Sequence, residues 1–373
     1  MKNFSYFRPS KAIIQLEAIR NNVRNLKSYL GNEKFIIAVV KADGYGNGAV
    51  EVARAAFQAG AHMVSVATPD EAIELREAGI VGDILVMGPS PTNFAPTAAE
   101  LDIIVTVSGA EWVTSAIQNN DSFGKPLKIH VKIDSGMGRI GLRETVSLHA
   151  LIEVINHSKD IVLDGIFTHF ARADEEDANW TEEQFKKFME IVQSLPEKPR
   201  LVHAANSAAT LLYPHISLDA VRFGISLYGI APSRYVEEKL PFPLERSMTL
   251  ESELAFVKLL PAGEPISYGG TYKTSEDEWI GTIPIGYADG LSRGLRGQEV
   301  LIGGKRVPIV GTIAMDQCMV KLPHEMPVGE RVVLIGRQGD EEITMEEWAD
   351  RLGTIPYEIT VSISKRVPRI YED

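Results

Sequence analysis

The sequence predicts an α/β protein in two parts: a TIM-type (β/α)8 barrel over residues 1–240 and a mainly-β domain over residues 241–373. Three observations predict it. Short runs of Ile, Val and Leu without a polar face alternate with amphipathic stretches through about residue 230, the pattern of parallel strands covered by helices. Eight such runs in that length fit a closed barrel better than an open sheet. Beyond residue 240 the helical periodicity fades, and short alternating runs separated by Gly and Pro turns take over.

In chain order, the barrel strands are expected at 35–42, 63–67, 83–87, 102–107, 127–133, 162–169, 201–205 and 221–227. Helical patterns lie between them, for example over 50–57, 70–77 and 181–191. Thr68-Pro69-Asp70 reads as a helix start, and so does Thr181 with Gln184 three residues on. The β domain shows runs at 254–259, 279–285, 299–302, 307–310, 318–322 and 331–335, with turns at Gly303-Gly304, 261–263 and 327–329. One helical piece, 344–352, interrupts it.

Composition narrows the function. Across 373 residues, 45% are hydrophobic and 24% charged, which is ordinary for a globular protein. A net charge of −12 argues against a nucleic-acid surface. Cys318 is the only cysteine, so neither an intrachain disulfide nor a cysteine-rich metal site is possible, and no metal is expected. The N-terminal residues lack the apolar core of a signal peptide and no apolar run approaches membrane-spanning length, so a cytoplasmic protein without a membrane partner is expected.

Chemistry in such a barrel sits at the C-terminal strand ends. Lys41 ends the first run, and Ala-Asp-Gly44-Tyr45-Gly46-Asn-Gly48 follows, a turn whose glycines let the backbone approach a ligand. A lysine placed there can form a Schiff base with a carbonyl cofactor. Lys132, Asp134 and Arg139 lie at or past the fifth strand, and His169 ends the sixth. His203 lies in the seventh, with Asn206 and Ser207 after it. Arg222 lies in the eighth, where a buried guanidinium needs partners, with Gly224 and Ile225 near its end. Loops after strands seven and eight form the usual barrel phosphate site. A lysine imine beside a phosphate site suggests pyridoxal 5′-phosphate; a Schiff-base aldolase acting on sugar phosphates would share both features.

These stretches, in order, resemble the alanine racemases over nearly the whole chain. The motifs are Val-Val-Lys41-Ala-Asp-Gly-Tyr45, Lys132-Ile-Asp-Ser-Gly-Met-Gly-Arg139-Ile-Gly, Thr-His169-Phe-Ala and His203-Ala-Ala-Asn206-Ser207. Val-Arg222-Phe-Gly224-Ile225, Ser-Tyr268-Gly-Gly-Thr, Ile-Gly-Tyr287-Ala-Asp, Ala-Met315-Asp316-Gln and Ile-Pro-Tyr357-Glu continue the series.

The resemblance implies a head-to-tail homodimer in which the β domain of one subunit completes the other's active site. It also implies a small amino-acid substrate and D-alanine made for peptidoglycan. Lys41 would hold the cofactor and act as base on the D-alanine side, and Tyr268 from the partner would be base on the L-alanine side. Two bases on opposite faces of Cα invert it without moving the substrate. A phenol with a pKa of about 10 needs help to ionise at neutral pH. The implied help is a Tyr268–His169–Arg222 relay with His203 behind the arginine.

By the same resemblance Arg222 faces the cofactor ring nitrogen, and Arg139 meets the cofactor phenolic oxygen and the substrate carboxylate. Lys132 matches a position that some relatives carry carbamylated. Tyr45, Asn206, Ser207, Gly224, Ile225 and Tyr357 would hold the cofactor, chiefly its phosphate. Met315 and Asp316 would meet substrate, and Tyr287 and Tyr357 would narrow the entrance. One position departs from the pattern: relatives commonly carry Gly-Arg where this chain has Gly311-Thr312. The competing expectations are a racemase of other small amino acids such as serine, a non-catalytic pyridoxal-phosphate barrel protein, and a decarboxylase of similar build. Tyr268 and Met315 speak against the second, and the setting of Cys318 speaks against the third.

Overall fold

The structure is a computed structural model that describes residues 6–120 and 123–373. It divides into two compact units. One runs over Glu17–Gly44 and Ala49–Arg246; the other gathers the N-terminal stretch to Leu16, Tyr45–Gly48 and Ser247–Asp373.

The first strand, β1 (Lys11–Gln15), belongs to the second unit. The first unit is a closed barrel of parallel strands: β2 (Phe35–Val39), β3 (Met63–Val66), β4 (Asp83–Pro89), β5 (Ile103–Val107), β6 (Leu127–Lys132), β7 (Ile161–Phe167), β8 (Leu201–His203) and β9 (Ala220–Phe223). Phe35 pairs with Ala220 where β2 meets β9. Ile37, Met63, Leu85, Ile104, Leu201 and Ala220 pack together and are almost wholly buried. Each large side chain buried this way contributes roughly 1.5–3 kcal/mol. Strands apolar on both faces follow, since one face meets this interior and the other meets the helices.

Helix Pro69–Glu77 shows how sequence sets a boundary. Thr68 caps it and Glu71 reaches back, a reciprocal capping box. The other expected cap fails: Ala178 precedes helix Asn179–Gln193, and Thr181 and Gln184 lie buried within it. Gln184 instead accepts a hydrogen bond from the Ala171 N–H at 2.9 Å, so its amide serves tertiary structure.

The second unit centres on one large mixed sheet. Its strands are β1, β10 (Met248–Glu253), β11 (Phe256–Leu260), β14 (Glu278–Ile283), β15 (Glu299–Ile302), β16 (Lys305–Val310), β17 (Cys318–Leu322), β18 (Arg331–Gln338), β19 (Glu341–Ile343) and β20 (Arg369–Glu372). A separate ribbon pairs β12 (Pro265–Ile266) with β13 (Tyr272–Lys273). Within the sheet β1 runs antiparallel to β10 and parallel to β20, with Ile13 opposite Thr249 and Ile370.

The expectation that residues 1–240 form the barrel is therefore corrected at its N-terminal end. Lys11–Gln15 passes straight into helix Leu16–Leu30 with no Gly or Pro between them, so no punctuation marks the change of unit. The expected strand ends also shift. β2 stops at Val39 and β7 at Phe167, and the run read as the eighth strand is β9 followed by a 3-10 turn, Ile225–Tyr228. The expected helix at 344–352 is present as Met345–Leu352, capped by Thr344.

Candidate active site

Lys41 stands two residues beyond β2 at the start of an unusual turn. Ala42, Asp43, Gly44 and Tyr45 all hold φ between 50° and 59°, a left-handed helical turn. Non-glycine residues resist that conformation by roughly 1–2 kcal/mol each, so the turn requires fixed anchors. They are present. The Gly44 N–H donates to Val40 O at 2.8 Å, Asp43 Oδ1 accepts from the Ala49 N–H at 3.0 Å, and Glu71 Oε1 accepts from the Ala42 N–H at 2.6 Å. Burial lowers the Lys41 pKa and the Arg139 charge lowers it further, against the opposing pull of Glu71. A neutral amine, the nucleophilic form, becomes easier to reach.

Around the ends of β6 to β9 the barrel assembles a buried polar cluster on Arg222, which is 3% exposed. Its guanidinium donates to His203 Nδ1 at 2.7 Å, to His169 Nδ1 at 3.2 Å, and to the carbonyls of Thr168 and Ala204 at 2.7 Å each. All four acceptors are neutral. Burial, with Arg139 adding to it, pushes the Arg222 pKa down to about 9, so it stays charged at neutral pH. Phe167 offers its ring face to both Arg222, at 5.3 Å, and Lys132, at 4.9 Å, and stacks on His203. Lys132 is also buried, and its Nζ donates to Ile133 O at 3.1 Å. Burial and the charges of Arg222 and Arg139 drive its pKa far down against Asp134.

The hydrogen bonds fix the tautomers. Because Arg222 donates to Nδ1 of His203, the proton of that neutral ring sits on Nε2, which is 3.0 Å from His130 Nδ1. His130 in turn holds its proton on Nε2 and donates it to Asp164 Oδ2 at 3.0 Å. Arg200 closes the line with two bonds to the same carboxylate. Burial acts to raise the Asp164 pKa, but His130 and Arg200 outweigh it and hold the carboxyl well below its usual range. Gly165 makes room for the imidazole, since a Cβ there would lie 2.7 Å from the His130 ring. His169 follows the same logic: its Nδ1 accepts from Arg222, so Nε2–H is the donor left over. Burial and the Arg222, Lys132, Arg139 and Lys41 charges keep it neutral.

Loops after β6, β8 and β9 supply the remaining barrel residues. Asp134 Oδ1 accepts from the Gly136 and Gly138 N–H groups at 3.2 and 2.9 Å, shaping the loop that carries the exposed Arg139. Asn206 caps helix Ser207–Leu212 by accepting from the Ala209 N–H at 3.0 Å. The Gly224 N–H donates to Ser207 Oγ at 2.9 Å, bringing Ser207, Gly224 and Ile225 together.

The second unit holds the other expected residues. Tyr45 is buried there, its ring 6.1 Å from that of Tyr357. The Tyr287 and Ala288 N–H groups donate to the Ala314 and Met315 carbonyls at 3.1 and 3.0 Å, joining two loops. Thr312 Oγ1 donates to the Tyr268 carbonyl at 2.9 Å and joins the third. Tyr268 is 74% exposed and Met315 52%. Asp316 pairs with Arg366 at 2.8 Å, so its carboxylate is engaged within its own chain.

Sequence reasoning missed Glu71, His130, Asp164, Phe167 and Arg200. His130 carried the one available signal, a histidine set between Ile129 and Val131 in β6.

Pyridoxal phosphate, the cofactor expected from the sequence, can be tested against these residues. Four cations, Lys41, Lys132, Arg139 and Arg222, act on one another in this site, and Arg222 spends its bonds on neutral groups. Its Nε–H has no acceptor among the described residues. Ser207 accepts through Oγ and keeps its own proton for donation. An anionic ring carrying an acceptor nitrogen and a phosphate fits this set.

Fold and site together define a barrel enzyme with a strand-end lysine, built around a buried arginine to which no carboxylate among the described residues is bonded. The chain belongs to the alanine racemase family: its N-terminal domain matches residues 14–232 and its C-terminal domain residues 247–371. Alanine racemase of Geobacillus stearothermophilus is 46% identical over 368 residues, covering 98% of this chain and 94% of that one. The crystal structure of alanine racemase from Bacillus anthracis with bound L-Ala-P superposes with a TM-score of 0.95 at 45% identity, covering 99% and 96% of the two chains. A histidine racemase from Leuconostoc mesenteroides shares the fold with a TM-score of 0.94 at 31% identity, covering 99% of each chain.

Proposed function

We propose that this chain interconverts L- and D-alanine with pyridoxal 5′-phosphate, as a head-to-tail homodimer in which each β unit completes the partner's site. The observation that carries the reading is Arg222, a buried cation hydrogen-bonded to His169 and His203 in a barrel that also presents Lys41. End-to-end identity with alanine racemases supplies the substrate. D-alanine for peptidoglycan, made in the cytoplasm, is the role we assign.

The bound cofactor supplies an electron sink that makes the Cα–H of an attached amino acid acidic enough for a side-chain base to remove. Lys41 Nζ, its pKa lowered, takes and returns the proton on the D face. The partner's Tyr268 Oη does so on the L face. His169 Nε2–H, fixed by the Arg222 bond to Nδ1, donates to the phenolate and keeps it available. Arg222 can only donate, so it leaves the ring nitrogen unprotonated and tempers the sink, which limits competing proton transfers. Arg139 orients the substrate carboxylate, braced by a carbamylated Lys132. Tyr45, Asn206, Ser207, Gly224, Ile225 and Tyr357 hold the phosphate end. The main chain at Met315, with Asp316 beside it, meets the substrate. Tyr287 and Tyr357 narrow the entrance to little more than a methyl side chain.

The test is proton NMR of L- and of D-alanine in heavy water with the purified holoenzyme. Loss of the Cα proton from both enantiomers, with optical rotation decaying to zero, is expected. Intact Cα protons on alanine, with exchange on serine or histidine instead, would reassign the substrate.

A further inference from the structure

We infer that Thr312 is a positioning residue for Tyr268: its hydroxyl clamps the strained turn that aims the tyrosine. The inference rests on the reading of Tyr268 as the L-face base.

The turn that carries Tyr268 is costly. Ser267 holds φ 62° and ψ −175°, a region of backbone space that is essentially glycine's alone, and Gly269 and Gly270 follow at φ 75° and 53°. Strain of that kind persists only where the surroundings over-determine it. Besides the Gly270 N–H bond to the Ser267 carbonyl at 3.0 Å within the turn, three hydrogen bonds from outside it do so here, and all three involve Thr312. Ser267 Oγ donates to the Thr312 carbonyl at 2.5 Å, Thr312 Oγ1 donates to the Tyr268 carbonyl at 2.9 Å, and Thr271 Oγ1 lies 3.3 Å from Thr312 Oγ1. Gly311, at φ 71°, allows the close approach, because a Cβ there would sit 2.8 Å from the Ile266 carbonyl oxygen and 3.1 Å from Ser267 Cβ.

The β12–β13 ribbon and the apolar cluster of Ile266, Ile280 and Val310 hold both sides of the clamp in place. The Tyr268 ring, 74% exposed, has little packing to direct it, so its aim comes from the backbone. A hydroxyl at 312 is what the clamp requires, and a long cationic side chain at this position could not reproduce its acceptor role toward Thr271.

The test compares Thr312→Val, which keeps the shape and loses the hydroxyl, with Thr312→Ser, which keeps the hydroxyl, each as holoenzyme. The equilibrium constant between mirror-image amino acids is unity, so kcat/KM must fall equally in both directions, by roughly five- to tenfold for the loss of this hydrogen bond. The diagnostic is the primary deuterium isotope effect in each direction. With Thr312→Val it should rise for L-alanine deuterated at Cα and fall for D-alanine deuterated at Cα, because the tyrosine step alone has slowed. Thr312→Ser should restore both values.

Isotope effects that do not move, or that move alike for both enantiomers, overturn the inference. Tyr268→Phe separates this failure from that of the underlying reading. If Tyr268→Phe leaves L-alanine proton removal intact, both fall. If it abolishes that step while Thr312→Val matches the parent, only the clamp falls.

Discussion

Lys132 concentrates the electrostatic tension of the barrel site in one side chain. Buried between the charges of Arg222 and Arg139, its ammonium is disfavoured and its pKa is driven well below the usual value of a lysine. A folded-state pKa below the unfolded one means that the unfolded chain binds this proton more tightly. The resulting penalty on stability is complete below the folded pKa and is relieved as pH rises toward the unfolded value near 10.4. The neutral amine reached in that window is also the form that adds carbon dioxide, and the carbamate replaces repulsion with attraction. Added bicarbonate at neutral to mildly alkaline pH should therefore raise the melting temperature of the parent and leave Lys132→Met unchanged. A carbamate resonance from ¹³C-bicarbonate should accompany the rise, and a parent that shows neither effect carries a free lysine.

At the scale of elements, one carboxylate ties two pieces of the site together. Glu71 caps its own helix through the Thr68 N–H, accepts from the Ala67 N–H at 2.7 Å, and reaches the Ala42 N–H in the left-handed turn at 2.6 Å. Glu71→Ala removes all three bonds and should cost about 2–4 kcal/mol, since charge-assisted bonds to backbone N–H groups are worth more than neutral ones. Thermal unfolding would read that loss. Cofactor titration should show weaker retention, because the turn that aims Lys41 loses an anchor; unaltered cofactor affinity would mean that Asp43 and Val40 hold the turn without it.

The same region marks how far the sequence could be read. Alternating apolar and amphipathic runs announced eight barrel strands, because burial on both faces leaves a compositional trace at each one. Lys41, His169, Arg222 and Tyr268 were legible as motif residues. The capping box at Thr68 was only half legible, since the helix start could be read but the reach of Glu71 to Ala42 is tertiary. The line from His203 through His130 to Asp164 and Arg200 left no pattern beyond His130 itself, since its members come from three strands and one loop. β1 was missed for a physical reason: five residues flowing directly into a helix share their apolar positions with it.

For the whole molecule, the proposed sharing of each site between two subunits makes a quantitative expectation. Tyr268 and Met315 stand largely exposed in the chain, as residues destined for a partner would. Lys41→Ala and Tyr268→Ala should each be nearly inactive alone. Mixed subunits assort at random, so about half the dimers are hybrid, and each hybrid regains one intact site of two. Co-expression of the two variants should then recover roughly a quarter of the parent activity. No recovery, with hybrids verified by mass, would place lysine and tyrosine in the same subunit's site.

The place of β1 in the second unit's sheet bears on how the chain is born. Both strands that flank it, β10 and β20, come later in synthesis, and the side chains of Gln15 and Glu372, which hydrogen-bond at 2.8 Å, are 357 residues apart. At ribosomal speeds the wait for β10 alone lasts roughly 10–50 s. Through that time a strand bearing Ile13 and Ile14 has neither neighbour, while the barrel segments that follow can already find theirs. Folding of the β unit thus joins an early strand to two late ones, a high-contact-order step that comes after β10 and β20 exist. A strand made before the whole barrel is among the last to reach its final pairing.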